Sequence, residues 1–304
     1  MALVMLWGTA GDSPFDAVCA QFERCGAAHF TLEQSRAAQA SLEAGGRLRM
    51  GERELDLDEI GAVYVRSFES WRVLQRAGFA PQSEEVRRAA LLDASLYGWL
   101  AAADALIVNP LVAMGSNTSK PYQAELIRAG GFEIPPTLIT TDPQAAREFV
   151  AAHADVVYKS VSGVRSIVAR LPAGSDERLE DVVWCPTQFQ AYVPGVDWRV
   201  HVVGDELFAC QIRSDAVDYR YAAHSGAAAQ LAAASLPADV EHRCRALAGA
   251  LGLHFAGIDL RLTPQGDWYC FEVNPSPGFT YFEQTGQPIG EALVRLLRAG
   301  ATRQ

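Results

Sequence analysis

The sequence predicts an α/β chain built in three parts, and three observations carry that reading. Over residues 2–109 apolar, strand-like runs alternate with stretches of helical periodicity, which implies a mostly parallel α/β lobe. Over residues 121–171 a shorter series of helix and strand reads as a second, small α/β lobe. From Pro186 onward the chain is strand-rich and ends in a hairpin, Phe255–Leu262 and Trp268–Val273, around a Pro-Gly-Asp cluster.

In chain order, residues 2–7 form the first strand, Gly8–Pro14 a loop, and Phe15–Cys25 a helix. Phe30–Leu32 is a short strand, Gly51–Leu57 a small hairpin arm, and Ile60–Val65 a further strand ending at Arg66 and Ser67. Glu84–Leu106 has the periodicity of a long amphipathic helix, and Leu106–Asn109 is the next strand. In open α/β sheets ligands lie beyond the carboxyl ends of strands, so Arg66 reads either as a substrate contact or as a surface cap. Gly8-Thr-Ala-Gly11 is not a dinucleotide fingerprint. Asn109–Ser119 is a linker of small residues before Lys120. Residues 121–130 form a helix, and Pro143–His153 forms another with Asp142 at its N-cap. Val156–Lys159 is a strand, Ser160–Ser166 a short loop, and Ile167–Leu171 the returning strand. Asp197–Val203 alternates strictly, with Asp197, Arg199 and His201 on one face. Leu207–Arg213 returns from it. Ser214–Gly226 is a polar and aromatic loop, and Pro237–Leu251 and Gly290–Arg298 are helices.

The chemistry is densest in the final hairpin. Pairing symmetric about Gln265 and Gly266 sets Leu262 against Tyr269, Leu260 against Phe271 and Asp259 against Glu272. Opposed Cβ atoms lie about 5 Å apart, close enough for two carboxylates to share one cation. Asn274, two residues past Glu272, emerges on the same face. Two carboxylates and one neutral oxygen suit Mg²⁺, which takes few protein oxygens and completes its shell with water or phosphate. Without a cation the opposed acids would repel and carry a desolvation cost. Asp259, Glu272 and Asn274 are therefore the candidate metal ligands.

Lys120 and Lys159 taken alone read as exposed lysines at helix and strand ends. Beside the carboxylate hairpin they become candidates for the α- and β-phosphates of a nucleotide. Ser162 and Gly163 could place backbone N–H groups over those phosphates. Arg199 and Arg213 lie fourteen residues apart across a hairpin. A two-residue Gly204-Asp205 turn pairs Arg199 with Cys210 and separates the arginines. A three-residue turn including Glu206 pairs Arg199 with Gln211 and gathers both. The second is preferred, because an arginine on a core-facing side is improbable. Two arginines beside a transferring phosphate would stabilise its charge and are the candidate catalytic pair. Arg66, Arg165, Ser276 and Gly278 are the candidate substrate contacts. The Pro275–Phe279 and Asp215–Ser225 loops are the candidates for shielding bound substrate. His201 shares a face with Arg199 and reads equally as a satisfied strand histidine.

A net charge of −10 argues against a nucleic-acid-binding surface, though not against a local basic pocket. Six cysteines without CxxC or His-Cys metal spacing read as buried, reduced thiols of a cytoplasmic protein. The apolar N-terminus lacks a basic flank and reads as a strand, not a signal peptide. No apolar run is long enough to span a membrane.

The Asp-x12-Glu-x-Asn spacing followed by Pro-Ser-Pro-Gly resembles the metal-binding end of the ATP-grasp ligases. The resemblance extends through SKPYQAELIRAGGFEIPPTLITTDP, VVYKS, QFQAYVPGVDWRVHVVGDELFACQIRS, GIDL and CFEVNPSPGF, and so covers nearly the whole chain. Within the superfamily the chain is most similar to the ribosomal-protein glutamate ligases and to the peptide-crosslinking ligases of microviridin-type (graspetide) pathways. The latter share ELDLDEIGAVYVRS and YFEQTGQPIGEAL in outline. The resemblance implies an α/β (α+β) ATP-grasp fold: an N-terminal parallel α/β domain over 1–112, then subdomains over 113–190 and 191–304 that clamp ATP. It implies Mg²⁺ bridging the β- and γ-phosphates, an adenine held by a hinge at Gln190, Ala191, Tyr192 and Val193, and a ribose met by Asp197. Without it, that hinge reads as an ordinary buried strand. Two departures stand out: Ala191 replaces a commonly acidic hinge residue, and the phosphate-covering loop is short. The activity implied is ATP-dependent ligation of a carboxylate to an amine or alcohol through an acyl phosphate, on a peptide. The alternatives are a small-molecule amino-acid ligase and an ATP-grasp module that binds nucleotide or peptide without turnover. A homodimer stays open; nucleic acid and membrane partners are not expected.

Overall fold

The computed structural model describes residues 3–43, 45–161, 168–172, 174, 176–214 and 229–302. Ser162, Gly163, Arg165 and the Asp215–Ser225 loop lie outside them.

The N-terminal lobe contains β1 (Leu3–Gly8), β2 (His29–Glu33), an antiparallel arm of β3 (Ala40–Glu43), β4 (Arg47–Met50) and β5 (Arg53–Asp56), then β6 (Ile60–Arg66) and β7 (Leu106–Val108). The main sheet runs β2-β1-β6-β7, all parallel. Alternation along its strands builds two cores at once. Met5, Trp7, Val63 and Val65 pack with Val86, Ala89, Leu92 and Leu96 of the helix Glu84–Leu100. Val4, Leu6, Ala62 and Tyr64 face Phe15, Val18 and Phe22 of the first helix and Leu293, Val294 and Leu297 of the last. The chain's final helix, Ile289–Ala301, thus belongs to the packing of its first lobe.

The middle lobe holds β8 (Thr137–Thr140), β9 (Val156–Ser160), β10 (Ala169–Arg170) and β11 (Thr187–Ala191) in the antiparallel order β10-β9-β11-β8. The Asp142 carboxylate caps its helix by accepting from the Gln144 amide at 2.9 Å. The last lobe holds β12 (Val196–Val203), β13 (Glu206–Ser214), β14 (Ala229–Ala233), β15 (Phe255–Leu262) and β16 (Trp268–Asn274), in the antiparallel order β14-β13-β12-β15-β16. Trp198, Val200, Ile258, Leu260 and Val273 cover one face with Val240, Cys244 and Leu247 of the helix Ala238–Ala250. On the other face Val203, Cys210, Ile212 and Phe255 join the core of the N-terminal lobe. What remains uncovered on that face are polar residues, and they form the site.

Strand β3, strand β14 and the helix Ser70–Arg76 were not expected from the sequence. Each is short, and Ala229–Ala233 carries neither β-branched nor aromatic residues. The long helix stops at Leu100, six residues short of its expected end. Cys210, Cys244 and Cys270 are buried, but Cys25 and Cys185 are exposed, so the expectation of uniformly buried thiols is corrected. Among the described residues no helix is long and apolar enough to cross a membrane.

Candidate active site

The hairpin brings Asp259 opposite Glu272, by a route the sequence did not show. At the tip Leu262 pairs with Trp268, Arg261 with Tyr269 and Leu260 with Cys270. A bulge then leaves Phe271 unpaired and restores the Asp259–Glu272 and Gly257–Asn274 pairs. The expected Leu262–Tyr269 and Leu260–Phe271 pairs are therefore corrected by one residue.

Each carboxylate meets a cation from another element. Arg199 of β12 lies opposite Asp259 and donates Nη1 to Oδ1 at 2.6 Å. Lys120, the first residue of the helix Lys120–Ala129, places Nζ 2.6 Å from Glu272 Oε1 and 2.7 Å from Asn117 Oδ1. That helix is fixed to β16 by Gln123, which donates to Val273 O at 2.8 Å and accepts from Val273 N at 3.1 Å. Asn274 Oδ1 accepts from Ser276 N at 2.9 Å.

The donor set fits Mg²⁺ and fits it incompletely, which is informative. Asp259, Glu272 and Asn274 offer only hard oxygens on one hairpin face. Among the described residues no three or more His, Cys, Asp or Glu groups converge as a self-sufficient metal cage. A site of two carboxylates suits a cation whose remaining ligands are water and nucleotide phosphate.

Arg199 is 6% exposed, and Gly257 makes room for it. A Cβ built on Gly257 would stand 2.3 Å from Arg199 Nη2 and 2.6 Å from Pro277 Cβ. Both the guanidinium and the Pro277 ring would have to move. Gly257→Ala is therefore expected to lower turnover by on the order of 10²-fold, the scale of a misplaced catalytic group, and to lower the melting temperature as well. ADP release against a thermal melt checks this; unchanged turnover would contradict it.

Arg213 does not join Arg199. The hairpin closes on the two-residue turn, with Val203 opposite Glu206 and Gly204 at φ 55°, the left-handed conformation that such a turn requires. Arg199 consequently faces Cys210, and Arg213 pairs with Gln230 on the opposite face of the sheet. The preference for a three-residue turn rested on keeping arginine off the core, but Arg213 lies at the sheet margin and is exposed there.

A cleft between the middle lobe and the last sheet is lined by Lys159, Gln190, Ala191, Tyr192, Val193, Asp197, Asp259 and Glu272. A second cleft, reaching Lys120, shares Lys159, Gln190 and Phe271 with it. The hinge is tied inward at two amides: Ala191 N donates to Pro136 O and Tyr192 N to Asp155 O, both at 2.9 Å. Arg261, which sequence reasoning missed, clamps it from below. Its Nε donates to Asp197 Oδ1 at 2.7 Å and its Nη1 to Val193 O at 2.8 Å. The Tyr192 ring lies between guanidinium groups, 4.1 Å from that of Arg170 and 5.6 Å from that of Arg261.

The loop after Asn274 is held by its carbonyls. Pro275 O accepts from Asn109 Nδ2 at 2.5 Å, and Ser276 O and Pro277 O accept from Arg66 Nη1 at 3.2 and 3.0 Å. Gly278 O lies 3.2 Å from His201 Nε2. Arg66 also pairs with Asp12. Its side chain is thus an inter-lobe tie rather than a surface cap. Gly278 faces open space, since a Cβ there would meet nothing within 4 Å.

Burial holds both His201 and His254 neutral, with pKa values below the usual histidine range; Arg199 adds to the effect at His201. The unfolded chain binds protons there below about pH 6.5, and the folded chain only at lower pH. This stability is present above the unfolded pKa and is lost as pH falls from there through the lower folded values. The urea midpoint is expected to drop between about pH 8 and about pH 5, and to drop less in His254→Gln. An equal drop in that variant would contradict it.

Three lobes, a cleft between the last two and an opposed Asp–Glu hairpin flanked by Lys and Arg define an ATP-grasp ligase. The chain belongs to the RimK-like ATP-grasp domain family, whose pattern matches residues 119–297. Ligases of this kind use ATP and Mg²⁺. The fold is similar over 98% of the chain to the macrocyclase MdnC of Microcystis aeruginosa MRC, solved with precursor peptide MdnA, at TM-score 0.81, 23% identity and 99% coverage of that chain. It is similar to the ATP-grasp ligase PsnB, solved with minimal precursor, Mg and ADP, at TM-score 0.79 and 27% identity, covering 98% of this chain and 97% of that one. MdnB, from the same Microcystis strain, matches at TM-score 0.74 and 26% identity, covering 98% of this chain and 99% of that one. No curated protein matches the chain.

Proposed function

We propose that this ligase joins a carboxylate to an amine or hydroxyl on a peptide, through an acyl phosphate. The observation that carries the reading is the opposed Asp259–Glu272 pair with Arg199 and Lys120 on its two sides. The peptide reading draws on PsnB, which matches over nearly its full length and was solved with precursor peptide PsnA2. The division at residues 112 and 190 remains our assignment of the domains, and the cytoplasm our assignment of the compartment.

Mg²⁺ would be held by Asp259, Glu272 and Asn274 and, once bound, neutralises charge on the β- and γ-phosphates. Lys159 and Lys120 are assigned to the phosphates. Adenine is assigned to the hinge beyond Tyr192, because the amides of Ala191 and Tyr192 are taken by Pro136 and Asp155. Asp197 is oriented by Arg261 toward the ribose. Arg199 is assigned to charge on the transferring phosphoryl group, alone among the two candidate arginines. A substrate carboxylate oxygen attacks the γ-phosphorus, the bond to the bridging oxygen breaks, and ADP leaves. An amine or hydroxyl then attacks the acyl carbon, loses its proton, and phosphate departs. Both steps require positioning more than protein nucleophiles. Ser276 and Gly278 border the space where the substrate would sit.

The test is incubation with ATP, Mg²⁺ and a panel of acidic peptides that also carry lysine and threonine, read by mass spectrometry. Loss of one water per bond, matched by one ADP, is expected. Products formed only from free amino acids would move the assignment to a small-molecule ligase.

A further inference from the structure

His201 is fully buried on the strand that carries Arg199, yet its hydrogen bonding is incomplete. Its Nε2 lies 3.2 Å from Gly278 O and 3.4 Å from Arg199 Nε. Its Nδ1 has no hydrogen-bond partner among the described residues. Directly across the sheet stands Gly257, which has no side chain to meet it. The ring instead packs between Phe255 and Phe282, at centroid distances of 6.2 and 5.0 Å.

A neutral imidazole carries one N–H. With the proton on Nδ1, a buried donor has no acceptor, and Gly278 O and Nε2 confront each other as two acceptors. With the proton on Nε2, Gly278 O is satisfied, Nδ1 stays an unpaired acceptor, and Arg199 Nε gives up only a long 3.4 Å contact to Nε2. A stranded buried donor is a substantial cost, and the 3.4 Å contact from Arg199 is too long to offset it. The Nε2–H tautomer is therefore the one this geometry supports. It completes a frame in which Asn109, Arg66 and His201 hold four consecutive carbonyls, Pro275 to Gly278. Prolines at 275 and 277 cannot donate, so side-chain donors set this loop's path. Asn109 and Arg66 come from the N-terminal lobe. His201 alone of the three comes from the strand bearing Arg199.

We propose that His201 is a positioning residue: as a neutral Nε2–H donor it locks the Pro275–Phe279 loop in register with Arg199. The loop borders the substrate and Arg199 the transferring phosphate, so the lock aligns the carboxylate with the group it attacks. This rests on the roles assigned above to Arg199 and to the loop.

Two measurements test it. In ¹⁵N-histidine spectra of the full-length protein, the signal absent from His201→Gln should report a bare Nδ1 and a protonated Nε2; a protonated Nδ1 would overturn the proposal. The second is turnover with ATP, Mg²⁺, hydroxylamine and an acidic peptide. Gln carries an amide N–H near the Nε2 position, Asn carries one only near Nδ1, and Phe carries none. His201→Phe and His201→Asn should lose on the order of 10-fold or more in kcat, with the KM for ATP within about twofold. His201→Gln should recover most of that loss. Equal loss in Gln and Phe, or no loss in Phe, would overturn it. If His201→Phe fails to fold, the Gln–Asn comparison and the spectra still decide. Arg199→Ala separates the premise from the proposal. Full activity in that variant removes the role of Arg199, whereas its inactivity beside an active His201→Phe removes only that of His201.

Discussion

Glu272→Gln should leave a folded protein that has lost turnover by on the order of 10³-fold, the scale of removing a group that fixes charge at the transferring phosphate. The substitution is isosteric, and the amide oxygen can still accept from Lys120, whose Nζ lies 2.6 Å from Glu272 Oε1. What it removes is one of two negative charges opposed across the β15–β16 hairpin. A site of two carboxylates that loses one holds a hard cation less tightly against water. Nucleotide affinity should accordingly fall in the presence of Mg²⁺ and change little in its absence. ADP titrations with and without Mg²⁺, beside ADP release, check this. Turnover near that of the parent would mean that the metal lies elsewhere.

Asn109→Ala should be the most destabilising single change in the inter-lobe frame. The side chain is 2% exposed. Its Oδ1 accepts from His254 N and Phe255 N at 2.8 and 2.9 Å. Its Nδ2 donates to Phe255 O and Pro275 O at 2.6 and 2.5 Å. One amide thus satisfies four backbone groups where β7, β15 and the Pro275 loop meet. Removing it strands two donors and two acceptors in a dry interior. At roughly 1–3 kcal/mol for a stranded group, partly relieved by relaxation, the loss is about 3–5 kcal/mol. For a chain of this size that corresponds to a fall in melting temperature on the order of 10 °C. Asn109→Asp should also destabilise, because a carboxylate would face two carbonyl oxygens. A shift of only a degree or two in Asn109→Ala would mean that this amide does not join the lobes.

Much of the site was legible because it is local in the sheet. Asp259, Glu272 and Asn274 share one hairpin, and the alternation of side chains was enough to oppose the two acids. The Phe271 bulge was hidden, since an extra residue leaves the apolar pattern on either side intact. Arg213 was misplaced for a related reason: turn length sets register, and shifting it by one residue turns every side chain to the other face. Burial preference argued for the wrong turn because the exposed margin of the sheet was not foreseeable. The long-range ties left no mark in the sequence. Arg66 reaches Ser276 and Pro277 across 210 and 211 residues, and Asn109 reaches Phe255 across 146. Arg261 and Gly257 acquire their roles only once β12 is known to pair with β15.

The most direct test of the account is trapping of the acyl phosphate. The full-length protein would be given ATP, Mg²⁺, an acidic peptide and excess hydroxylamine, with Glu272→Gln alongside. A hydroxamate on a carboxylate side chain, formed with one ADP and one phosphate and absent from the Glu272→Gln reaction, is the expected result. AMP and pyrophosphate in place of ADP and phosphate, or a hydroxamate that persists undiminished in Glu272→Gln, would contradict it.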